Sequence, residues 1–106
     1  MTRQVVVTGL GMTTPVGGDV DSSWQRVLSG QPGIRVIDEP WVDVQPSKIA
    51  GIMAVDPADV LDRVDVRKMD RSQQAALIAA REAWADAGIT SIDPDRLGAV
   101  VASGIG

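Results

Sequence analysis

The 106-residue sequence contains no cysteine, no histidine, no phenylalanine and no tyrosine. Without cysteine the chain has no disulfide, no thiolate ligand for zinc and no thiol nucleophile. Without histidine it lacks the most common general base and the most common side-chain ligand of transition metals. We therefore expect little catalytic apparatus and no metal site within these residues.

The balance of charge and hydropathy narrows the class of protein further. Ten basic and fourteen acidic residues give a formal net charge of −4. Because binding to nucleic acid needs a basic surface, nucleic acid is not expected as a partner. No apolar run approaches the roughly 18–20 residues of a membrane span, and the N-terminus lacks a signal peptide. We expect a cytoplasmic protein that contacts no membrane.

Short apolar runs alternate with helical patterns, which predicts an α/β protein. Three adjacent valines at residues 5–7, followed by Gly9, are typical of a strand that is buried on both faces. Residues 97–102 have the same character and predict a second buried strand. The other predicted elements are a helix at about residues 21–29, an irregular stretch at 31–46, a weak strand at 48–53, a helical turn at 56–61 and a turn at 93–96.

The strongest pattern is a helix over residues 71–87. Asp70 and Gln73 have the spacing of a capping box, and Gly88 is placed to end the helix. Seven alanines make the helix small and apolar almost all round, which indicates burial on most sides. Two or three strands cannot enclose such a helix. We therefore predict that residues 1–106 are the truncated N-terminal part of a larger fold.

The glycines after the first predicted strand begin like a dinucleotide-binding fingerprint. Thr14 occupies the position of the third glycine and Pro15 follows, so no helix N-terminus is available for a pyrophosphate. The sequence also lacks a Gly-Lys-Ser/Thr and a Gly-x-Ser-x-Gly motif. A plain strand-to-loop turn is the better interpretation, and we predict no cofactor site.

Residues 63–71 form a basic segment within an acidic half of the chain. They hold four basic and two acidic residues, whereas residues 56–106 as a whole hold six basic and nine acidic residues. The simplest interpretation is a solvated loop that leads into the helix. The alternative is a docking surface for a negatively charged protein, because Arg67 and Lys68 adjoin the apolar helix. The residues alone leave both interpretations open.

Several motifs occur in an order and spacing that identify a family better than any one motif does. They are VVVTGLGMTTPVG at residues 5–17, Trp24, LSGQPGI at 28–34, RKMD at 67–70, the alanine-rich helix closed by Gly88, and SGIG at 103–106. In order and approximate spacing they resemble the β-ketoacyl-acyl-carrier-protein synthases, and most closely the elongating type II condensing enzymes of fatty acid synthesis. The likeness covers essentially all 106 residues. Histidine and phenylalanine are absent after Asp38, where many relatives have aromatic residues, and Trp41 stands among acids instead, which leaves the accepted acyl chains open.

The resemblance implies a thiolase-like αβαβα layered fold, of which this chain would be the N-terminal part. In such enzymes a cysteine holds the acyl chain as a thioester, and two histidines and a lysine assist decarboxylation of malonyl-carrier and the condensation that follows. All of these residues would lie beyond position 106, so the chain alone is expected to be inactive. The implied partner is acyl carrier protein, loaded with acyl or malonyl groups, and the implied assembly is a homodimer.

Two sites are carried over from the family onto this sequence. Arg67 and Lys68 match residues at the entrance that contact the acidic helix of the carrier protein, and Arg63 is a looser match nearby. Ile105 matches a residue that lines the acyl-chain pocket, where a branched side chain would limit chain entry. Simple packing of Ile105 at a strand end is an equally open interpretation.

Four other functions are compatible with the same residues. A ketosynthase of a polyketide pathway shares these motifs, and a chain-length factor of such a pathway shares them without catalytic residues. A non-catalytic binding module would use Arg63, Arg67 and Lys68 to hold an acidic partner. A nucleotide-dependent oxidoreductase has the least support, because its fingerprint is incomplete.

Overall fold

The computed structural model describes residues 2–105, so Gly106 of the predicted final turn lies outside the described residues. The described chain divides into two units. One unit is residues 13–56, and the other combines residues 2–12 with residues 57–105. Among residues 2–105, no helix combines the length and the apolar character needed to cross a bilayer.

In the unit of residues 13–56, helix α1 (Val20–Leu28) confirms the first predicted helix. The Asp19 side chain accepts a hydrogen bond from the backbone N–H of Ser22, and the Ser22 hydroxyl accepts one from the N–H of Asp19, so a capping box begins the helix. Gly30 follows the helix with a φ of 72°, a conformation that glycine adopts without steric penalty. The helix bounds are thus set by local side-chain chemistry.

A two-stranded antiparallel sheet follows α1 in the same unit. Strand β1 (Ile34–Val36) pairs with strand β2 (Ile49–Gly51), and Arg35 lies opposite Ala50. Strand β2 confirms the weak strand predicted at residues 48–53. Strand β1 is absent from the sequence-based prediction, because three residues are too few to show an alternating pattern.

The segment between the two strands is more regular than the prediction for residues 31–46. A 3₁₀ helix forms at Pro40–Val44, where proline takes the first position and its missing N–H leaves no bond unmade. The Lys48 ammonium group donates to three backbone carbonyl oxygens at the end of this helix. They belong to Val42 at 2.7 Å, Asp43 at 2.8 Å and Gln45 at 2.8 Å. The prediction of an irregular stretch is wrong here.

In the other unit, two helices form at the basic segment and at the strongest helical pattern. Helix α2 (Arg63–Lys68) occupies the segment that the simplest interpretation treats as a loop, so that interpretation is wrong. Helix α3 (Arg71–Ala87) has the predicted bounds. The N–H of Gln73 donates to Asp70 at 2.9 Å, and Gly88 ends the helix with a φ of 63°. Short 3₁₀ turns confirm the turns predicted nearby, at Pro57–Asp59 and Pro94–Arg96.

The two predicted buried strands do not form in the described part of the chain. Residues 3–12 and 97–102 have no strand assignment, and the exposed fraction is 94 % for Val5 and 98 % for Val100. A strand forms only where a neighbouring backbone receives its hydrogen bonds. In the first segment, alternate backbone N–H groups donate instead to carboxylates of α3. The prediction of buried strands is therefore wrong for this structure.

Helix α3 is only partly covered, whereas the sequence predicts burial on most sides. Gln74 and Ile78 are its buried residues, and Trp84 is 46 % exposed. At Gly9 and Gly11 the extended chain lies so close to α3 that a Cβ atom on either glycine would overlap backbone atoms of the helix. The small residues of α3 do permit the close approach of this segment. Residues 2–105 therefore cover only part of α3, and its burial on most sides within a larger fold stays a prediction.

Candidate functional site

Helix α2 carries all three residues predicted to contact a partner. Arg63 begins the helix, and Arg67 and Lys68 end it. Cations in the last turn are favoured there, because the carbonyl end of a helix carries partial negative charge. The N–H of Met69 donates to the carbonyl oxygen of Asp65 at 3.1 Å and closes the helix. The sequence thus places three cations on one short helix with defined ends.

The three cations of α2 keep their charge uncompensated by neighbouring acids. Arg63, Arg67 and Lys68 are exposed, and none of them forms an ion pair with a residue in the range 2–105. The acidic residue of the same helix, Asp65, pairs instead with Arg81 of α3, with 3.3 Å between Nη2 and Oδ2. We refer to Arg63, Arg67 and Lys68 as the α2 patch. Its charge is therefore available to an external partner.

A buried amide fixes the end of α2 against α3. The side-chain Nε2 of Gln74 donates to the carbonyl oxygens of Val66 at 3.1 Å and Met69 at 3.0 Å. Gln74 is 6 % exposed, so these bonds are made away from most solvent, where an unmade hydrogen bond is costly. Sequence reasoning missed this residue. The available signal was a polar side chain among the apolar residues of the predicted helix.

A groove of about 370 Å³ opens beside the α2 patch. Its lining residues come from the turn before α2 and from α2 itself. They are Ala58, Leu61, Arg63, Val66 and Arg67. Sequence reasoning missed this groove, because it forms where the turn at residues 58–61 folds against α2, and no periodic pattern marks such a turn. Two cations of the patch therefore border a partly apolar depression.

Ile105, the residue predicted to line an acyl-chain pocket, is 97 % exposed. The described residues do not enclose its side chain. A separate cavity of about 390 Å³ lies between the first turn of α3 and residues 101–103. Its lining includes Gln73, Ala76 and Ser103. The pocket role of Ile105 stays a prediction.

The aspartates that begin the two longer helices have lowered pKa values. The backbone N–H of Gln73 and then the hydroxyl of Ser72 hold the pKa of Asp70 below its usual range. The hydroxyl and the backbone N–H of Ser22 do the same for the pKa of Asp19. Within residues 2–105, no three side chains of metal-binding type come together. The lowered pKa values therefore belong to helix caps and mark no separate chemical site.

Comparison with known proteins gives the class to which this chain belongs. The family model described as "Beta-ketoacyl synthase, N-terminal domain" matches residues 2–106. The chain belongs to this family, and the resemblance expected from its motifs is confirmed. In the described structure this family sequence forms a mixed arrangement of helices and short strands.

Curated relatives share one particular name. A protein of Coxiella burnetii is 40 % identical over 107 residues, which cover 98 % of this chain and 26 % of the relative. One of Staphylococcus aureus strain N315 is 38 % identical over 109 residues (98 % and 26 %), and one of Mycobacterium leprae 34 % over 104 residues (96 % and 25 %). All three are named 3-oxoacyl-[acyl-carrier-protein] synthase 2. The chain spans about a quarter of the length of these relatives.

Proposed function

We propose that residues 1–106 form the N-terminal part of a 3-oxoacyl-acyl-carrier-protein synthase that acts in fatty acid elongation. The observation that carries this proposal is the shared name of relatives that match nearly the whole chain. The complete enzyme would have the thiolase-like αβαβα fold and act as a cytoplasmic homodimer. It would condense malonyl-carrier with an enzyme-bound acyl thioester and release CO₂.

This reaction defines what a complete enzyme must supply. Loss of CO₂ leaves a carbanion, whose charge must be stabilised on a developing oxyanion, and the acyl group must be held as an activated thioester. In our proposal the cysteine, the two histidines and the lysine that do this belong to the rest of the synthase. The segment described here receives the carrier protein and contributes Ile105 to the wall of the acyl pocket.

The α2 patch is the part of this segment that we assign to the carrier protein. Its three cations are exposed and have no acidic partner among residues 2–105, so an acidic helix would find them free to pair. Charge complementarity of this kind accelerates association and excludes partners of the wrong charge. Because exposed charges are screened by salt, the contribution of the patch must fall as ionic strength rises.

The test is charge reversal at the end of α2 in the complete synthase. Arg67→Glu together with Lys68→Glu is expected to raise the apparent KM for acyl-carrier about tenfold or more, because steering becomes repulsion. The KM for a carrier-free acyl thioester should not change. Arg26→Glu together with Arg96→Glu is the matched control, because both are exposed arginines outside the patch and the change in net charge is the same. Equal effects on both substrates would refute the docking role.

A further inference from the structure

The lining of the groove beside the α2 patch is partly apolar and partly cationic. Ala58 comes from the 3₁₀ turn, Leu61 from the loop after it and Val66 from α2, while Arg63 and Arg67 lie at the border. Its volume of about 370 Å³ is at the small end of ligand pockets, which span roughly 300–1,000 Å³. It is large enough for a side chain of a protein partner.

Hydrogen bonds hold both walls of the groove in place. The carbonyl oxygen of Pro57, a fully buried residue, accepts the N–H groups of Val60 at 3.1 Å and Leu61 at 2.8 Å. On the opposite wall the buried amide of Gln74 holds the carbonyl oxygen of Val66. A partner therefore meets a preformed, partly apolar depression and spends little free energy on ordering it.

The charges around the groove define the chemistry of what enters it. Arg63 and Arg67 are one helical turn apart on the α2 side, and Asp65 between them is paired with Arg81. Acidic Asp59 follows Ala58 on the wall of the 3₁₀ turn. Carboxylates of a partner are therefore attracted to the α2 side and repelled from the other wall, which leaves an apolar group to enter between them.

We propose that this groove receives one apolar side chain from the acidic helix of the carrier protein, while the α2 patch pairs with carboxylates on the same helix. The inference rests on the proposed function and adds a second contact of different chemistry. The charges bring the carrier helix to α2, and the inserted side chain fixes its register. Buried apolar anchors inside a polar rim commonly supply most of the binding energy at such surfaces.

Filling the groove tests the inference in the complete synthase. Ala58→Leu places additional methyl groups in the groove, and Ala85→Leu makes the same change at an exposed alanine of α3 that does not line it. The dissociation constant for acyl-carrier is measured at low and high salt. Ala58→Leu is expected to raise it about tenfold, as is usual when an apolar pocket loses its occupant, and Ala85→Leu is expected to leave it unchanged. The factor should be the same at both salt concentrations, because apolar contacts are not screened.

The other outcomes separate the groove from the patch. If Ala58→Leu binds carrier as well as Ala85→Leu does, while Arg67→Glu with Lys68→Glu weakens binding, the inference about the groove is wrong and docking stands. If the charge reversal has no effect either, the proposed docking itself is wrong. A change in the sedimentation mass of Ala58→Leu without carrier would identify a second copy as the occupant and overturn the inference.

A reciprocal experiment covers the case in which Ala58→Leu fails to fold, which loss of turnover on carrier-free thioester would reveal. Exposed apolar residues on the acidic helix of the carrier are replaced one at a time by alanine and measured against the wild-type synthase. One replacement is expected to weaken binding about tenfold. In a folded Ala58→Leu enzyme that replacement should not weaken binding further, because both changes remove the same contact. If no single replacement weakens binding, the inference is wrong.

Discussion

The backbone N–H of Met12 donates a hydrogen bond of 2.9 Å to Oε2 of Glu82 on α3. The N–H of Leu10 makes the equivalent bond of 3.0 Å to Oδ2 of Asp86. N–H groups two residues apart in an extended chain lie on the same side, about 6.6 Å apart. Residues four apart in a helix are separated by about 6 Å along its axis. The spacings match, so two carboxylates of α3 bind the edge of the extended segment.

Glu82→Ala is expected to release the Met12 amide and lower the free energy of unfolding of the complete protein by about 1–2 kcal/mol. Glu82→Gln should lose less, because its amide oxygen still accepts the bond. Urea denaturation measures the change in free energy, and hydrogen exchange of peptides covering Met12 locates it. Glu39→Ala, at an exposed acid of the other unit, is the control. Unchanged protection at Met12 in Glu82→Ala would contradict the prediction.

Lys48→Met is expected to destabilise the connection between β1 and β2, because three carbonyl oxygens lose one shared donor. We expect a loss of about 1–2 kcal/mol, since the methionine keeps the apolar stem and water replaces the ammonium group. Lys48→Arg should not restore the loss, because a planar guanidinium cannot direct three donors to one convergent set of carbonyls. Denaturation midpoints measure both changes. Arg35→Met, at an exposed cation of β1, serves as the control, and an equal loss there would refute the specific role of Lys48.

The cap of α3 predicts a dependence of stability on acid. The pKa of Asp70 is lowered in the folded chain, so its stabilising effect is complete above the ordinary aspartate value of 3.8 and is lost as the pH falls through the lower folded value. Asp70→Asn keeps an acceptor for the cap but does not titrate. Thermal unfolding followed from pH 7 to pH 2 should therefore show a smaller loss of Tm in Asp70→Asn than in the wild type. An equal loss of Tm in the wild type and in Asp70→Asn would show that the cap is not the cause. A loss of Tm in the control Asp38→Asn as small as that in Asp70→Asn would show the same.

Ile105→Phe in the complete synthase is expected to lower kcat/KM for long acyl substrates about tenfold relative to short ones, because a larger side chain narrows the proposed pocket. The measurement is a series of acyl-carrier substrates of increasing chain length. Ile92→Phe makes the same change at a partly exposed isoleucine away from the matched position. An unchanged substrate profile in Ile105→Phe would refute the pocket role.

Helix bounds were predictable because their signals are local. Asp19 before α1, and Asp70 and Gly88 on either side of α3, act through neighbours within three or four residues. The structure accordingly begins and ends α3 where the sequence indicates and α1 within one residue of it. The cations of the α2 patch were identifiable for the same reason, since a run of charges is visible in the sequence itself.

Burial and strand pairing were not predictable, because both depend on distant parts of the chain. Val5 and Val100 have the residue type of buried strands and are almost fully exposed here. Likewise, the bond from Gln74 to Val66 depends on the packing of α3 against α2, and the groove at Ala58 depends on how the turn before α2 folds against that helix. Periodicity describes one element at a time and holds no information about its partners.

The close passage of Gly9 and Gly11 along α3 also limits how this segment can be altered. A side chain at either glycine would overlap the carbonyl oxygen of Ala83 or Ala79, and a backbone atom cannot move aside as a side chain can. No free volume therefore remains between the two glycines and the backbone of α3. A larger residue at either glycine cannot be accommodated by a smaller side chain on the helix. Engineering of the surrounding surface must treat these four residues as a single fixed unit.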